Sequence, residues 1–266
     1  MYEQFFGMKQ TPFVNSIPAK DLYASDGLTE TLGRLKYVVA HRLFAVVTGD
    51  VGCGKTTAIR RFVADLDETK TTCLYLSDSK LTPRWFYKGL LDQLGIESKF
   101  YRGDAKRQLH QQLEIIRGVH GKNVVTIVDE AHLLAKETLE EIRFLLNYRM
   151  DSMNPMALIL VGQNELWDKL KLQRYAAVRQ RIDLKCELPQ LDRSQLEAYI
   201  AAHLRYAGCS QEIFTDTALD EIYTYSNGAP RAINKVCTHS LICAANRGKK
   251  LIDEHLVKTV IAGELP

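Results

Sequence analysis

Four short apolar runs rich in β-branched residues, Leu43–Thr48, Thr72–Ser77, Val124–Val128 and Ala157–Val161, recur along the chain with amphipathic stretches between them. Each is long enough for a buried strand. After the first run, Ile59, Phe62, Val63 and Leu66 fall at i, i+3, i+4 and i+7, and Leu109, Leu113 and Ile116 do much the same before the third. Strand–helix alternation of this kind predicts an α/β fold: a parallel sheet flanked by helices on both faces. From Asp192 onward the alternation stops. The pattern there predicts helices at roughly 192–207, 215–226, 230–247 and 253–262, with turn signals at Gly208, Asn227-Gly228 and Gly248.

The chain therefore divides into an N-terminal arm (1–25), an α/β core (26–190) and a C-terminal helical lid domain (191–266). The arm reads as irregular, because Pro12 and Pro18 discourage a continuous helix and its aromatics (Tyr2, Phe5, Phe6, Phe13, Tyr23) are suited to lying over a core. With 266 residues and 46% hydrophobic content, both larger units can fill a core. No stretch approaches the roughly 18 uninterrupted apolar residues of a membrane span, and the N-terminus lacks a basic region followed by an apolar run. A soluble, cytoplasmic protein without a membrane partner is expected. Six cysteines without a C-x-x-C pair indicate neither a zinc site nor a disulfide framework.

Gly49-Asp50-Val51-Gly52-Cys53-Gly54-Lys55-Thr56 matches G-x-x-x-x-G-K-[ST] in full, between a predicted strand and a predicted helix. Glycines let the backbone wrap a phosphate chain, and the helix N-terminus that includes Thr57 adds its dipole. Lys55 is expected to reach the β- and γ-phosphates of ATP, and Thr56 to place its hydroxyl on Mg²⁺. The run Val124–Val128 ends in Asp129 and Glu130, which delivers two carboxylates to the C-terminal edge of the sheet. Asp129 is expected to hold the metal through water and Glu130 to polarise an attacking water. The plainer reading of the pair is an acidic helix start. Asp129 to His132 also spells a helicase-type Asp-Glu-Ala-His box. The chain has no room for the second RecA-like domain of such helicases, so His132 reads as incidental.

A phosphate-loop strand, an Asp-Glu strand, a further strand ending in polar residues, and a helical region bearing Gly228-Ala229-Pro230-Arg231 resemble the AAA+ ATPases over essentially the whole chain. Met1-Tyr-Glu-Gln-Phe-Phe-Gly7, Pro12-Phe13 and Leu160-Val-Gly-Gln-Asn-Glu-Leu166 resemble the ExeA-type group. That group includes secretion ATPases, and its relatives include transposon-encoded ATPases similar to the phage Mu B protein. The resemblance implies that Gln163 is the sensor-1 residue, with Asn164 as the alternative, because ExeA-type chains usually carry Pro after that Gln. It also implies that Arg231 acts as sensor 2, and that Arg181 or Arg179 is an arginine finger for a neighbouring subunit in a homo-oligomeric ring or filament. Ile17, Pro18 or Tyr23 of the arm would line the adenine slot.

The net charge of +3 is mild but unevenly spread: Lys99 to Lys122 holds six Lys/Arg against two acids. Lys99, Arg102 and Lys106, with Lys80 and Arg84 nearby, are candidates for contact with the backbone of double-stranded DNA; a solvated helix face with core aromatics is the plainer reading. Two functions follow from the resemblance. One is an ATP-dependent DNA-binding ATPase that oligomerises on duplex DNA and targets or regulates a transposase. The other is the motor of an ExeA-type secretion or envelope-assembly system. Such motors typically continue into a membrane span, whereas this chain stops at Pro266, which favours the DNA reading.

Overall fold

A computed structural model of the chain describes residues 2–77, 81–146 and 154–265. In chain order the elements are α1 (Tyr2–Phe6), α2 (Asp26–His41), β1 (Phe44–Thr48), α3 (Lys55–Ala64), β2 (Thr71–Leu76), α4 (Pro83–Gln93), α5 (Arg102–Gly118), β3 (Asn123–Val128), α6 (Lys136–Leu146), β4 (Ala157–Gly162), α7 (Asn164–Lys171), α8 (Ala176–Arg179), β5 (Leu184–Glu187), α9 (Arg193–Tyr206), α10 (Asp216–Ser226), α11 (Pro230–Asn246) and α12 (Glu254–Glu264). They gather into two compact units. One holds Gly27–Gly49 and Lys55–Leu188; the other holds Met1–Asp26, Asp50–Gly54 and Pro189–Pro266.

The first unit is built on a five-stranded sheet of order β2-β3-β4-β1-β5, parallel throughout. Strands β1 and β4 are buried along their whole length, which is why they read in sequence as unbroken apolar runs. Period-two alternation sorts their side chains between two cores. Phe44, Val46, Leu158 and Leu160 join Phe86, Leu90, Leu109, Leu113 and Ile142 on one face. Ala45, Val47, Ile159 and Val161 join Leu35, Val38, Ile59 and Phe62 on the other. Each large aliphatic side chain fully buried in this way contributes about 1.5–3 kcal/mol relative to exposure.

Strand β5 was not among the four runs expected. It has only four residues, and Lys185 and Glu187 alternate with Leu184 and Cys186, so it offers neither a continuous apolar run nor a long period-two signal. At the other end of the sheet order lies β2. There the Gln93 side chain accepts the N–H of Tyr75 at 2.8 Å and donates to the Tyr75 carbonyl at 2.9 Å, taking up both backbone groups that β3 does not use.

The second unit is helical. Leu196, Ile200, Leu219, Ile222, Ile233, Val236, Leu256 and Val260 share one core with Tyr2, Met8 and Phe13. The arm is thus partly ordered where the sequence reading had it irregular. Its first residues form α1, which ends before Pro12 and Pro18 can interfere, and the Lys9 N–H donates to the Ala207 carbonyl at 2.7 Å. Helix starts carry their own signals. Asp192 and Gln195 form a reciprocal capping box, while Thr215 and Asp253 accept the N–H groups of Ala218 and Leu256, each cap contributing about 1 kcal/mol. Pro230 opens α11, where its missing N–H costs nothing.

Candidate nucleotide site

The strand register brings the C-terminal ends of β1, β3 and β4 to one edge: Thr48 pairs with Gly162, and Val128 with Leu160. The residues that follow these ends are the ones the sequence singled out, namely Gly49, Asp129 and Gln163. Ligands of open parallel sheets bind at such an edge. Helix α3 begins at Lys55, so its first N–H groups have no acceptor within the helix and form an anion-binding end. The Lys55 side chain is 8% exposed and its Nζ donates to the Gly49 carbonyl at 2.8 Å.

Asp129 is buried, and its carboxylate is oriented from several sides. Oδ2 accepts the Thr56 hydroxyl at 3.1 Å and the Tyr75 phenol at 2.8 Å, and Oδ1 accepts the Glu130 N–H at 2.8 Å. Burial, then the hydrogen bond to Asp129, pushes the Tyr75 phenol well above its ordinary range, so it stays a donor. Glu130 sits in the left-handed region (φ 51°, ψ 32°), a conformation that costs a non-glycine residue about 1–2 kcal/mol. Its side chain is 46% exposed, and Oε2 lies 3.4 Å from Nδ1 of His132. Gln163 caps α7 at the end of β4 and its carbonyl accepts the Leu166 N–H. The Arg179 guanidinium is held by the carbonyls of Leu170 and Lys171 at the end of α7, whereas Arg181 lies two residues past α8, partly exposed.

In the other unit, Asp50, Val51, Gly52, Cys53 and Gly54 keep company with α11. Arg231, exposed at the second position of α11, donates its backbone N–H to the Gly52 carbonyl at 3.2 Å, and Gln190 donates to the Asp50 carboxylate at 3.1 Å. Cys53 is buried and Val51 is 60% exposed. Ile17 is buried, and Tyr23 packs edge-on against Tyr199 with ring centres 5.9 Å apart.

Lys80 lies outside the described residues. The Arg84 guanidinium stands 4.1 Å over the Phe100 ring, and Lys99 is exposed beside it in sequence. Arg102, which is exposed, and Lys106, which is half-buried, both pair with the buried Glu141 carboxylate, at 3.0 and 3.1 Å, and Tyr87 donates to the same carboxylate at 2.7 Å. Burial raises the Glu141 carboxyl, but the bonds from Tyr87 and Lys106 outweigh it and hold the group below its ordinary value. Sequence reasoning passed over Glu141 and Tyr75. An acid among apolar helix positions was the available signal for the first. The second sits on the face opposite the buried Leu74 and Leu76.

The candidate ligand atoms brought together here, the Asp129 carboxylate and the Thr56 hydroxyl, are oxygens, which suits a hard cation such as Mg²⁺ that keeps several waters and shares phosphate oxygens with one carboxylate. A loop of the G-x-x-x-x-G-K-T pattern between β1 and α3, with an acid pair closing the buried strand β3 of the same sheet, defines a P-loop nucleoside triphosphatase. Residues 39–170 match the family described as AAA domain, and the chain carries an AAA+ ATPase domain.

The chain is 35% identical over 259 residues to General secretion pathway protein A of Aeromonas hydrophila, matching 95% of its own length and 46% of that relative's. It thus spans about half the length of this curated relative. In fold it is similar to the Aeropyrum pernix ORC2 protein in its ADPNP–ADP complexes (TM-score 0.69, 16% identity, 94% of this chain and 70% of that one). The Aeropyrum pernix ORC1 protein in complex with DNA is similar too (TM-score 0.69, 14% identity, 92% and 67%). Among the described residues, no helix is long and apolar enough to cross a membrane.

Proposed function

We propose that the chain is an ATP-dependent, DNA-binding AAA+ ATPase whose subunits assemble on duplex DNA and regulate or target a transposase. In this reading Gly49–Thr57 cradle the phosphates, Lys55 exchanges the Gly49 carbonyl for phosphate oxygens, and Thr56 and Asp129 hold Mg²⁺. The bound metal supplies charge neutralisation for the transferred phosphoryl group. Glu130 accepts the proton of the attacking water, Gln163 orients that water, and Arg231 reads the nucleotide state. Arg181, partly exposed two residues past α8, is the residue assigned to a neighbouring subunit, where a guanidinium can pair with phosphate oxygens in bidentate fashion.

The observation that carries the DNA reading is an exposed cluster of aromatic and cationic side chains. Trp85 is 50%, Phe100 66% and Tyr101 71% exposed, with Arg84 over Phe100 and the Lys88 ammonium 4.7 Å over Trp85. Large exposed rings lose little rotamer freedom on binding, and cations stacked on them attract phosphate backbones. A second reading, an ExeA-type secretion or envelope-assembly motor, is favoured by the 35% identity to a secretion pathway protein.

Binding to a random-sequence duplex, measured with a non-hydrolysable ATP analogue, with ADP and without nucleotide at two salt concentrations, separates the two. Salt-sensitive binding that requires the ATP analogue, and that weakens in Phe100→Ala and Lys99→Ala, supports the first. ATP hydrolysis with no DNA affinity in any nucleotide state rejects it and favours the second.

A further inference from the structure

His132 has no task in the reading above, yet its imidazole is closed off from solvent. The side chain is 7% exposed, and Nδ1 has no hydrogen-bond partner among the described residues. A buried ring nitrogen without a partner is uncommon enough to require an account. The acceptor nearest to hand is Oε2 of Glu130, 3.4 Å away. That separation is longer than a formed hydrogen bond, as catalytic contacts commonly are before ligand binds.

The backbone of His132 is fixed more firmly than its neighbour's side chain. Its carbonyl accepts Nζ of Lys169 at 3.2 Å, and the same ammonium donates to the Leu134 carbonyl at 2.5 Å, tying the turn after Glu130 to α7. Its N–H nitrogen lies 3.1 Å from where a side chain on Gly162 would begin, so the turn also rests on the end of β4, one residue before Gln163. Glu130, by contrast, projects a half-exposed carboxylate from a left-handed backbone.

We infer that His132 is a positioning residue for Glu130. In the tautomer that carries hydrogen at Nδ1, the imidazole donates to Oε2 and holds the carboxylate in one rotamer, leaving Oε1 to take the proton of water. The end of β4, one residue before Gln163, packs against the backbone nitrogen of His132. The two groups acting on the water are thereby held in one frame. This rests on the assignment of Glu130 as the general base.

The test is steady-state ATP hydrolysis by the full chain with substitutions at position 132, alongside nucleotide affinity and thermal melting of each variant. His132→Ala is expected to lower kcat about tenfold, the order of effect of freeing a long side chain's rotamers, with KM and nucleotide affinity within about twofold. His132→Asn places an amide N–H where Nδ1 stood and restores most of the rate. His132→Gln, whose amide reaches the place of Nε2, does not. Adding His132→Ala to Glu130→Gln costs nothing further. Wild-type kcat in His132→Ala, or equal rates in the Asn and Gln variants, overturns the inference. Near-normal turnover in Glu130→Gln alone overturns the assignment on which it rests, and is recognisable separately.

Discussion

Gly228 and Leu191 meet backbone to backbone: the Leu191 N–H donates to the Gly228 carbonyl at 3.0 Å, and a Cβ on Gly228 would stand 1.9 Å from the Leu191 carbonyl oxygen. Gly228 also has φ +75°, a value that costs any side chain about 1 kcal/mol. Gly228→Ala therefore has no local escape. It is expected to lose roughly 2–4 kcal/mol of stability, read as a lowered denaturation midpoint, whereas Gly248→Ala, with open space around it, should lose only the conformational part. An unchanged midpoint in Gly228→Ala would falsify the contact.

The Tyr75 phenol is the donor on Oδ2 of Asp129 besides Thr56. Tyr75→Phe keeps the ring and removes a hydrogen bond to a charged acceptor, a bond of about 1.5–3 kcal/mol. Nucleotide affinity in the presence of chelator should stay at the wild-type value, while the Mg²⁺ concentration needed for half-maximal tightening should rise several-fold. A fluorescent ADP titrated with Mg²⁺ measures both.

Glu141 joins α4, α5 and α6 through Tyr87, Arg102 and Lys106. Its side chain is 5% exposed, so Glu141→Ala leaves the buried Tyr87 phenol without its acceptor and removes the partner of two part-solvated cations, and is expected to cost roughly 1–3 kcal/mol in chemical denaturation. Lys106→Ala should destabilise more than Arg102→Ala, because the Lys106 side chain is 28% exposed and that of Arg102 60%. Comparable and negligible losses in both would mean that these cations serve the surface and not the helix packing.

His203 lies on α9, stacked on Phe13 with ring centres 5.1 Å apart and beside Tyr199 at 4.2 Å. Burial holds its pKa down to about 4. The unfolded chain takes up this proton near pH 6.5 and the folded one only near 4. Between those values the unfolded state binds more protons, so stability falls as pH falls and is fully present above about 6.5. The loss is on the order of 3 kcal/mol, and His203→Phe should flatten the dependence of the melting temperature on pH across that window.

Much of the fold was legible because both-face burial leaves an unbroken apolar run. Phe44–Thr48 and Ala157–Gly162 could hardly be read otherwise, and Asp192, Thr215, Asp253 and Pro230 punctuate the C-terminal helices with their own chemistry. Strand β5 escaped because a short edge strand, half polar, has no such signature. The phosphate loop and the acid pair are local in sequence and therefore visible in it. The partners that orient Asp129 and Glu141 are not: Tyr75 and Tyr87 each lie 54 residues from the carboxylate they serve, and only the folded sheet and its helices bring them there. His132 is visible in the sequence, but its 3.4 Å separation from Glu130 is not, because it depends on the turn that follows β3.

The side-chain amide of Gln93 on the outer edge of β2 has a consequence for how the sheet meets other chains. A bare parallel edge is a template on which any extended segment can pair. By mimicking the missing neighbour at Tyr75, one glutamine interrupts the template at the position whose ring grips Asp129. Strand-on-strand pairing with another chain is thereby disfavoured at this position.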